Sequence, residues 1–337
     1  MTRVGIDGDR FLINGELTYK GCTFRGHRIE GLLLNSRMVQ ATFDDANLET
    51  RARWAYPDTG EWDADRNVKE FVEAMPVYRE HGLLGITVNF QGGSPEGYSK
   101  EQPWLNTGFS PKGEILLPYQ RRMRKVLAKA HELGMVVILG VFYFGQDEYL
   151  EDETAVRRAL DNTVRWVLES GYQNVTIEVN NECNVKKYEH EILQPHRVHE
   201  LIEQVKETSR GGRRLLVSTS YGGRTVPEEN VVRTADYLLL HGNGVTDPKR
   251  IAEMVDQTRE VAGYREMPIL FNEDDHFEFD TDENNFMSAV SRGASWGFFD
   301  PGANDYEDGY QSPPVNWGLS TDRKQGFFDL VKQMSGG

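Results

Sequence analysis

The chain is poor in cysteine, in long apolar runs and in positive charge. Only Cys22 and Cys183 occur among 337 residues. Two lone thiols build neither a disulfide framework nor a zinc cluster, and a chain of this length buries enough core to fold without either. They read as buried free cysteines in a reducing compartment. The expected location is therefore cytoplasmic, or secreted where a leader peptide has been removed. No stretch approaches the ~18 apolar residues of a membrane helix, so no membrane partner is expected. Acidic residues outnumber basic ones by 53 to 38, a net charge of −15. Phosphate backbones demand concentrated Lys and Arg, which excludes nucleic acid as a main partner. No Pro/Gly/Ser-rich linker interrupts the sequence, and residues 1–337 read as one domain.

What is present is a repeated alternation. Residues 10–20, RFLINGELTYK, place Asn14-Gly15 between alternating apolar positions, the signature of a tight hairpin. Short apolar runs then recur at 38–43, 83–90, 135–144, 174–180, 215–220, 237–242, 268–272 and 295–299. They are β-rich with little strict alternation, as strands covered on both faces are. Helical stretches separate most of them. Val156, Leu160, Val164, Val167 and Leu168 fall at three- and four-residue steps, as do Val198, Leu201, Ile202 and Val205. Gly82, Gly134 and Gly171 stand where left-handed helix caps belong. Only about 221–236 makes a poor helix. Eight strands alternating with about eight helices predict an α/β (β/α)8 TIM barrel preceded by a short hairpin. An open doubly wound sheet is the competitor, but FDDAN after the first run lacks its Gly-rich phosphate loop.

Barrel active sites sit at the carboxyl ends of the strands. Polar residues gather there: Asp44, Asn89, Tyr143, Asn181-Glu182, Tyr221, His241 with Asn243, Glu273 and Asp300 close successive runs. Carboxylates on the fourth and seventh strands face one another across a barrel mouth. Such a pair hydrolyses glycosides, one group protonating the leaving oxygen while the other meets the anomeric carbon.

These motifs resemble clan A of the retaining glycoside hydrolases, the group that includes cellulases, mannanases and β-galactosidases. IEVNNE matches the clan's strand-four Asn-Glu at Asn181-Glu182, PILFNE its strand-seven Glu at Glu273, and SWGFFD its strand-eight Trp at Trp296. FLINGELTYKG is similar to the hairpin preceding many of these barrels. The resemblance implies Glu182 as acid/base, Glu273 as nucleophile, Asn181 on the hydroxyl next to the anomeric carbon, and Trp296 as the sugar's floor. It implies an oligo- or polysaccharide substrate and no cofactor or metal. The sequence also departs from the pattern. Many members carry an Arg near the end of strand one or two; VNFQGG has none, though Arg37 and Arg53 lie nearby. The strand-six aromatic partner of the nucleophile is missing, leaving His241 or Asn243 for that role.

Blander readings stand beside these. Glu182 could be a loop carboxylate. Glu273, followed by Asp274 and Asp275, could open a solvated cap or a calcium site. Tyr143, Tyr221, Asn89 and Asp44 are wall candidates for the substrate cleft. Trp54, Trp62 and Trp104 lie in long segments after the first two strands, either as polysaccharide platforms or as pins for the loops. His196-x-x-His199 lacks a third ligand, and Cys183 lacks an activating His. The alternative function is a non-catalytic carbohydrate-binding barrel that retains the pocket. A metal-dependent barrel hydrolase is disfavoured by the missing His-x-His pair on the first strand.

Overall fold

A computed structural model describes residues 2–97, 101–302 and 308–336. The chain opens with a three-stranded antiparallel meander, Val4–Asp7, Arg10–Ile13 and Glu16–Leu17. The predicted turn is there: Asn14 and Gly15 have φ of 58° and 84°, the pair of positive values a type I′ hairpin needs.

Among the described residues, eight parallel barrel strands and eight α-helices follow. Numbering the barrel strands alone, they are β1 Asn35–Arg37, β2 Gly85–Asn89, β3 Val136–Phe142, β4 Val175–Asn180, β5 Leu216–Ser218, β6 Leu238–His241, β7 Ile269–Glu273 and β8 Gly297–Phe298. The helices between and after them are α1 Ala64–Glu80, α2 Leu117–Leu133, α3 Glu153–Ser170, α4 Val198–Glu207, α5 Glu229–Thr234, α6 Pro248–Glu260, α7 Asn285–Ser291 and α8 Asp322–Ser335. The weak sequence signal between the fifth and sixth strands matches α5, the shortest helix at six residues. None of these helices is long and apolar enough to cross a membrane.

Six strands, β5-β4-β3-β2-β1-β8, form one hydrogen-bonded ladder, and β6-β7 form another. Two seams join them into the (β/α)8 barrel. At one, Leu270 bridges Ser295 in parallel, with Phe271 N donating to Ser295 O and Ser295 N to Ile269 O. At the other, Asp236 N donates to Val217 O while the Asp236 carboxylate accepts from Val217 N at 3.0 Å. A side chain there replaces a backbone acceptor.

The first strand is not where the apolar run predicted it. Residues 38–43 leave the sheet as a 3-10 turn, Val39–Thr42, and the strand is the polar Asn35–Arg37 just before it. The barrel interior explains this. Its lower end is apolar: Leu33, Leu84, Val136, Ile138, Leu239 and Leu270 pack together, and Phe11 of the meander plugs them from below. Toward the carboxyl ends the interior becomes polar, with Arg37, Asn89, Glu178 and Asn272 all buried. Room comes from glycine: a Cβ on Gly140 would lie 2.1 Å from Asn89 Oδ1, and one on Gly297 would lie 2.1 Å from Asn35 Oδ1.

Candidate active site

β1, β4, β6 and β7 deliver a connected set of side chains to the carboxyl end of the barrel. Arg37 at the end of β1 is 2% exposed. Its Nε lies 2.5 Å from Glu273 Oε2, its Nη2 donates to Asn181 Oδ1 at 2.5 Å, and its Nη1 lies 3.4 Å from Glu178 Oε2. One guanidinium thus ties the end of β7 to two positions on and after β4. Asn272 Nδ2 adds a bond to Glu178 Oε2 at 3.1 Å.

Glu273 is held from both sides, because Asn243 Nδ2 donates to its Oε1 at 2.5 Å. Glu182 lies opposite. Its backbone has φ of +50°, a left-handed conformation that costs a non-glycine residue on the order of 1–3 kcal/mol. Ser220 Oγ accepts from Glu182 N at 2.9 Å and helps fix that turn. A surface loop carboxylate would have no cause to keep such strain.

His241, fully buried at the end of β6, stands between the two acids. Its Nδ1 lies 2.9 Å from Glu182 Oε1 and 3.5 Å from Glu273 Oε2. One carboxylate oxygen of Glu182, one of Glu273 and a ring nitrogen of His241 all lie within 4.8 Å of one another. The side chains of Glu182 and Glu273 are 13% and 9% exposed, enough to meet a ligand and too little to be solvated as free acids are.

The electrostatics follow from this packing. Burial raises the Glu273 carboxyl above its ordinary range, and Arg37 and then His241 pull it back toward ionisation. Burial works against a charged His241, yet Glu273 and Glu182 outweigh it and raise the imidazole above its usual value. Three ligand atoms so close could suit a metal ion. Arg37 argues against one, since its cation already contacts Glu273 Oε2 and would repel a second beside it.

Several expected residues join this set and others do not. Asn181, His241 and Asn243 are in it. Tyr143 stands close enough for both glutamates to help raise its phenol, and its hydroxyl lies 3.1 Å from Ser94 Oγ. Asn89 lies in the barrel interior against Gly140. Trp296 does not form a floor. It is fully buried, stacked on Phe286 at 4.7 Å, and its Nε1 donates to Asp274 Oδ2 at 2.9 Å. The period of two explains the miss: Gly297 faces Asn35 in the barrel interior, so Trp296 must face outward into the helices. Tyr221 is likewise a core residue, 1% exposed and packed by Cys183, whose thiol burial pushes far up. Asp44 anchors a loop, accepting from Arg51 Nη1 at 2.9 Å and Trp62 Nε1 at 3.1 Å. Trp54 and Trp104 are 3% and 0% exposed, packed with Phe43 and Trp62 as pins rather than platforms. The acids after Glu273 form no solvated cap: Asp274 is fully buried and takes bonds from His276, Asn285 and Trp296.

Glu178 is the functional-looking residue that sequence reasoning passed over, and Arg37, noted only as lying near the missing strand-end Arg, proves to be a strand-end residue itself. The available signal was polarity itself. Asn35-Ser36-Arg37, following three leucines, is a polar segment running into a barrel whose polar end is the working end.

No protein-family model and no curated protein matches the chain. Solved structures do match its fold. An endo-1,4-β-mannanase from Rhizomucor miehei superposes with a TM-score of 0.60 at 10% identity, over 99% of each chain. A glycoside hydrolase family 5 enzyme from Prevotella bryantii gives 0.55 at 10% identity, over 90% of this chain and 95% of that one. A provisionally assigned glycoside hydrolase from Bacteroides vulgatus gives 0.59 at 12% identity, over 96% of this chain. The present chain spans 59% of that last protein's length. At such identities the likeness establishes the barrel fold.

Proposed function

We propose that the chain is a retaining glycoside hydrolase acting on β-linked oligo- or polysaccharide, with Glu182 as acid/base and Glu273 as nucleophile. The observation that carries this reading is the approach of their carboxylate oxygens, within 4.8 Å across the barrel mouth. Retaining sites hold their carboxyl groups about 5–5.5 Å apart, while inverting sites need about 6.5–9.5 Å to admit a water between them. The family of the solved structures the fold resembles adds support.

Each group has a distinct task. Glu273, drawn toward ionisation by Arg37 against the burial that favours its neutral form, attacks the anomeric carbon from one face. Glu182 gives its proton to the departing oxygen, then removes one from the incoming water in the second half of the reaction. His241 Nδ1 contacts Glu182 at 2.9 Å, which places a proton-exchanging partner beside the acid/base. Asn181 has its Oδ1 engaged by Arg37. That orients its amide nitrogen for a sugar hydroxyl, which fits the role the sequence suggested.

The test is a panel of aryl β-glycosides and β-linked polysaccharides, with the product anomer read by NMR at early times. Retention is expected, together with labelling of Glu273 by a 2-deoxy-2-fluoro glycoside. Inversion, or a label on Asp274 or Asp275, refutes the assignment. Binding across a glycan array without turnover would favour the non-catalytic barrel instead.

A further inference from the structure

The mouth of the barrel is covered on one side and open on the other. β8 and β2 flank β1 in the sheet, and the loops that follow those two strands are tied to each other. Gln311 Nε2 donates to Ser94 O at 2.7 Å, and Ser312 Oγ to Pro95 O at 2.6 Å. Ser94 Oγ in turn lies 3.1 Å from the Tyr143 hydroxyl and accepts from Gln102 Nε2 at 3.2 Å. Ser94, Tyr143 and Gln311 are buried, and so are Gln40 in the turn after β1 and Arg37 at the end of β1 itself.

Two glycines bring the β2 loop over that turn. Gly92 and Gly93 take φ of 101° and 84°, which side chains with a Cβ rarely adopt. A Cβ on Gly93 would strike the Gln40 side-chain amide, and one on Gly92 the Tyr143 ring. The loop therefore lies directly on the turn that caps β1, and the bridge to Gln311 and Ser312 crosses that strand's end.

Across the mouth the loops after β4, β5 and β6 stand apart. Asn184, Gly222 and Gly223 are half-buried, while Arg224 and Gly244 are exposed. Gly222 N donates to Asn184 Oδ1 at 2.8 Å and Arg224 Nε to Gly244 O at 3.0 Å. These bonds join neighbouring loops and cross no strand end. A Cβ on Gly222 would lie 3.6 Å from Glu182 Oε1, so the open side adjoins the acid/base.

This asymmetry bears on which bond of a chain can reach the two glutamates. Glu182 protonates the leaving oxygen, so the departing part of the substrate runs out past it, over β4 to β6. The sugar attacked by Glu273 lies on the opposite side. Any chain continuing beyond that sugar would have to pass through the bridge between Ser94 and Gln311. We propose that the enzyme cuts β-linked chains from their non-reducing ends, with this bridge as the wall that stops the chain. The inference deepens the hydrolase reading and rests on it.

The test uses cellohexaose and mannohexaose carrying a fluorescent label at the reducing end, with a panel of aryl β-glycosides as the measure of the chemistry alone. The first labelled products should be chains shortened by one or two sugars. Labelled trisaccharides or shorter chains as first products overturn the proposal. In the double variant Gln311→Ala/Ser312→Ala, which touches neither glutamate, aryl glycoside turnover should stay unchanged. The share of internal cuts should rise about tenfold, equivalent to ~1.4 kcal/mol for two lost hydrogen bonds. An unchanged share in that variant shows that the bridge is not the wall and overturns the proposal equally. The hydrolase reading is scored separately on the same protein. Aryl glycoside turnover with internal cuts, or with both hexasaccharides untouched, sinks the chain-end inference alone. No turnover of any aryl glycoside or hexasaccharide sinks the hydrolase reading and this inference with it.

Discussion

Arg37 is the side chain on which the charge state of Glu273 rests, and replacing it gives the sharpest test of the site. Arg37→Met removes the contact at 2.5 Å to Glu273 Oε2, the bond to Asn181 and the weaker approach to Glu178. Two buried carboxylates then lose their cation. Breaking a buried pair costs about 3–5 kcal/mol, a large part of the ~5–15 kcal/mol that holds a domain folded. The variant should therefore melt far lower, and Arg37→Lys, which keeps the charge without the fork, is its kinetic control. For catalysis the sign is fixed. Burial already raises the Glu273 carboxyl, with Arg37 the strongest opposing influence. Losing it raises the carboxyl further, so ionised nucleophile appears only at higher pH. A hydrogen bond to a charged group is worth about 1.5–3 kcal/mol, and each pH unit corresponds to ~1.36 kcal/mol. The acid limb of kcat/KM should thus move alkaline by about one to two units in Arg37→Met, measured on an activated aryl glycoside. In Arg37→Lys it should move by much less, while kcat falls because one ammonium cannot hold three partners. An acid limb that stays in place when Arg37 becomes Met refutes the coupling.

Three further outcomes follow from the same geometry. Glu182→Gln should lose about 10²–10⁴-fold on poor leaving groups and little on dinitrophenyl glycosides, compared by kcat/KM; equal losses would remove Glu182 from the acid/base role. His241→Gln should move the acid limb alkaline by less than Arg37→Met, since His241 is the second influence lowering Glu273. His241 itself is raised in the folded chain, so its charge adds stability below the ordinary histidine range, and that stability is lost as pH rises through the folded value. A melting-temperature profile that falls across neutral pH in the parent and flattens in His241→Gln is expected; identical profiles would count against it. Trp296→Phe should cost about 1–3 kcal/mol through the lost bond to Asp274 and leave KM unchanged. A tenfold rise in KM without loss of melting temperature would restore Trp296 to the sugar floor.

The sequence was legible where burial was uniform. Strands covered on both faces are apolar over most of their length, so β2, β3, β4 and β7 stand out, and the helices betray themselves by one apolar face each. Glu182 and Glu273 stood out as candidates because Glu273 ends such a strand and Glu182 follows one by two residues. β1 was not legible, and its misplacement left Arg37 as a mere neighbour of the site rather than a strand-end residue. A strand whose inward residues serve the site is polar, so Asn35-Ser36-Arg37 reads as loop while the apolar turn after it reads as strand. Trp296 failed for the complementary reason. An aromatic at the end of a strand looks like a sugar platform whichever way it points, and only the facing of Gly297 decides the direction. The loop tryptophans are ambiguous on the same ground. Trp54 and Trp104 bury against Phe43 because a long loop needs its own small core, and composition alone does not separate that need from ligand binding.

Both errors share one physical origin, and it bears on how the two glutamates are held. The apolar lower barrel packs through shape, which tolerates volume-conserving substitution. The upper barrel packs buried polar groups, some of them joined by hydrogen bonds and ion pairs that each have a direction. Arg37 meets Glu273, Asn181 and Glu178 in the same polar layer where Gly140 and Gly297 leave the wall clear for Asn89 and Asn35. Placement of the two glutamates is therefore expected to respond to changes at these wall positions, although none of them touches either carboxylate. Gly140→Ala makes the point in its simplest form, since its new Cβ would meet Asn89 Oδ1 at 2.1 Å and must displace a buried amide. The fold below would survive while the geometry above it shifts, so kcat should fall by more than the melting temperature explains. A Gly140→Ala enzyme with unchanged kcat would mean that the polar layer does not set the positions of the two carboxylates.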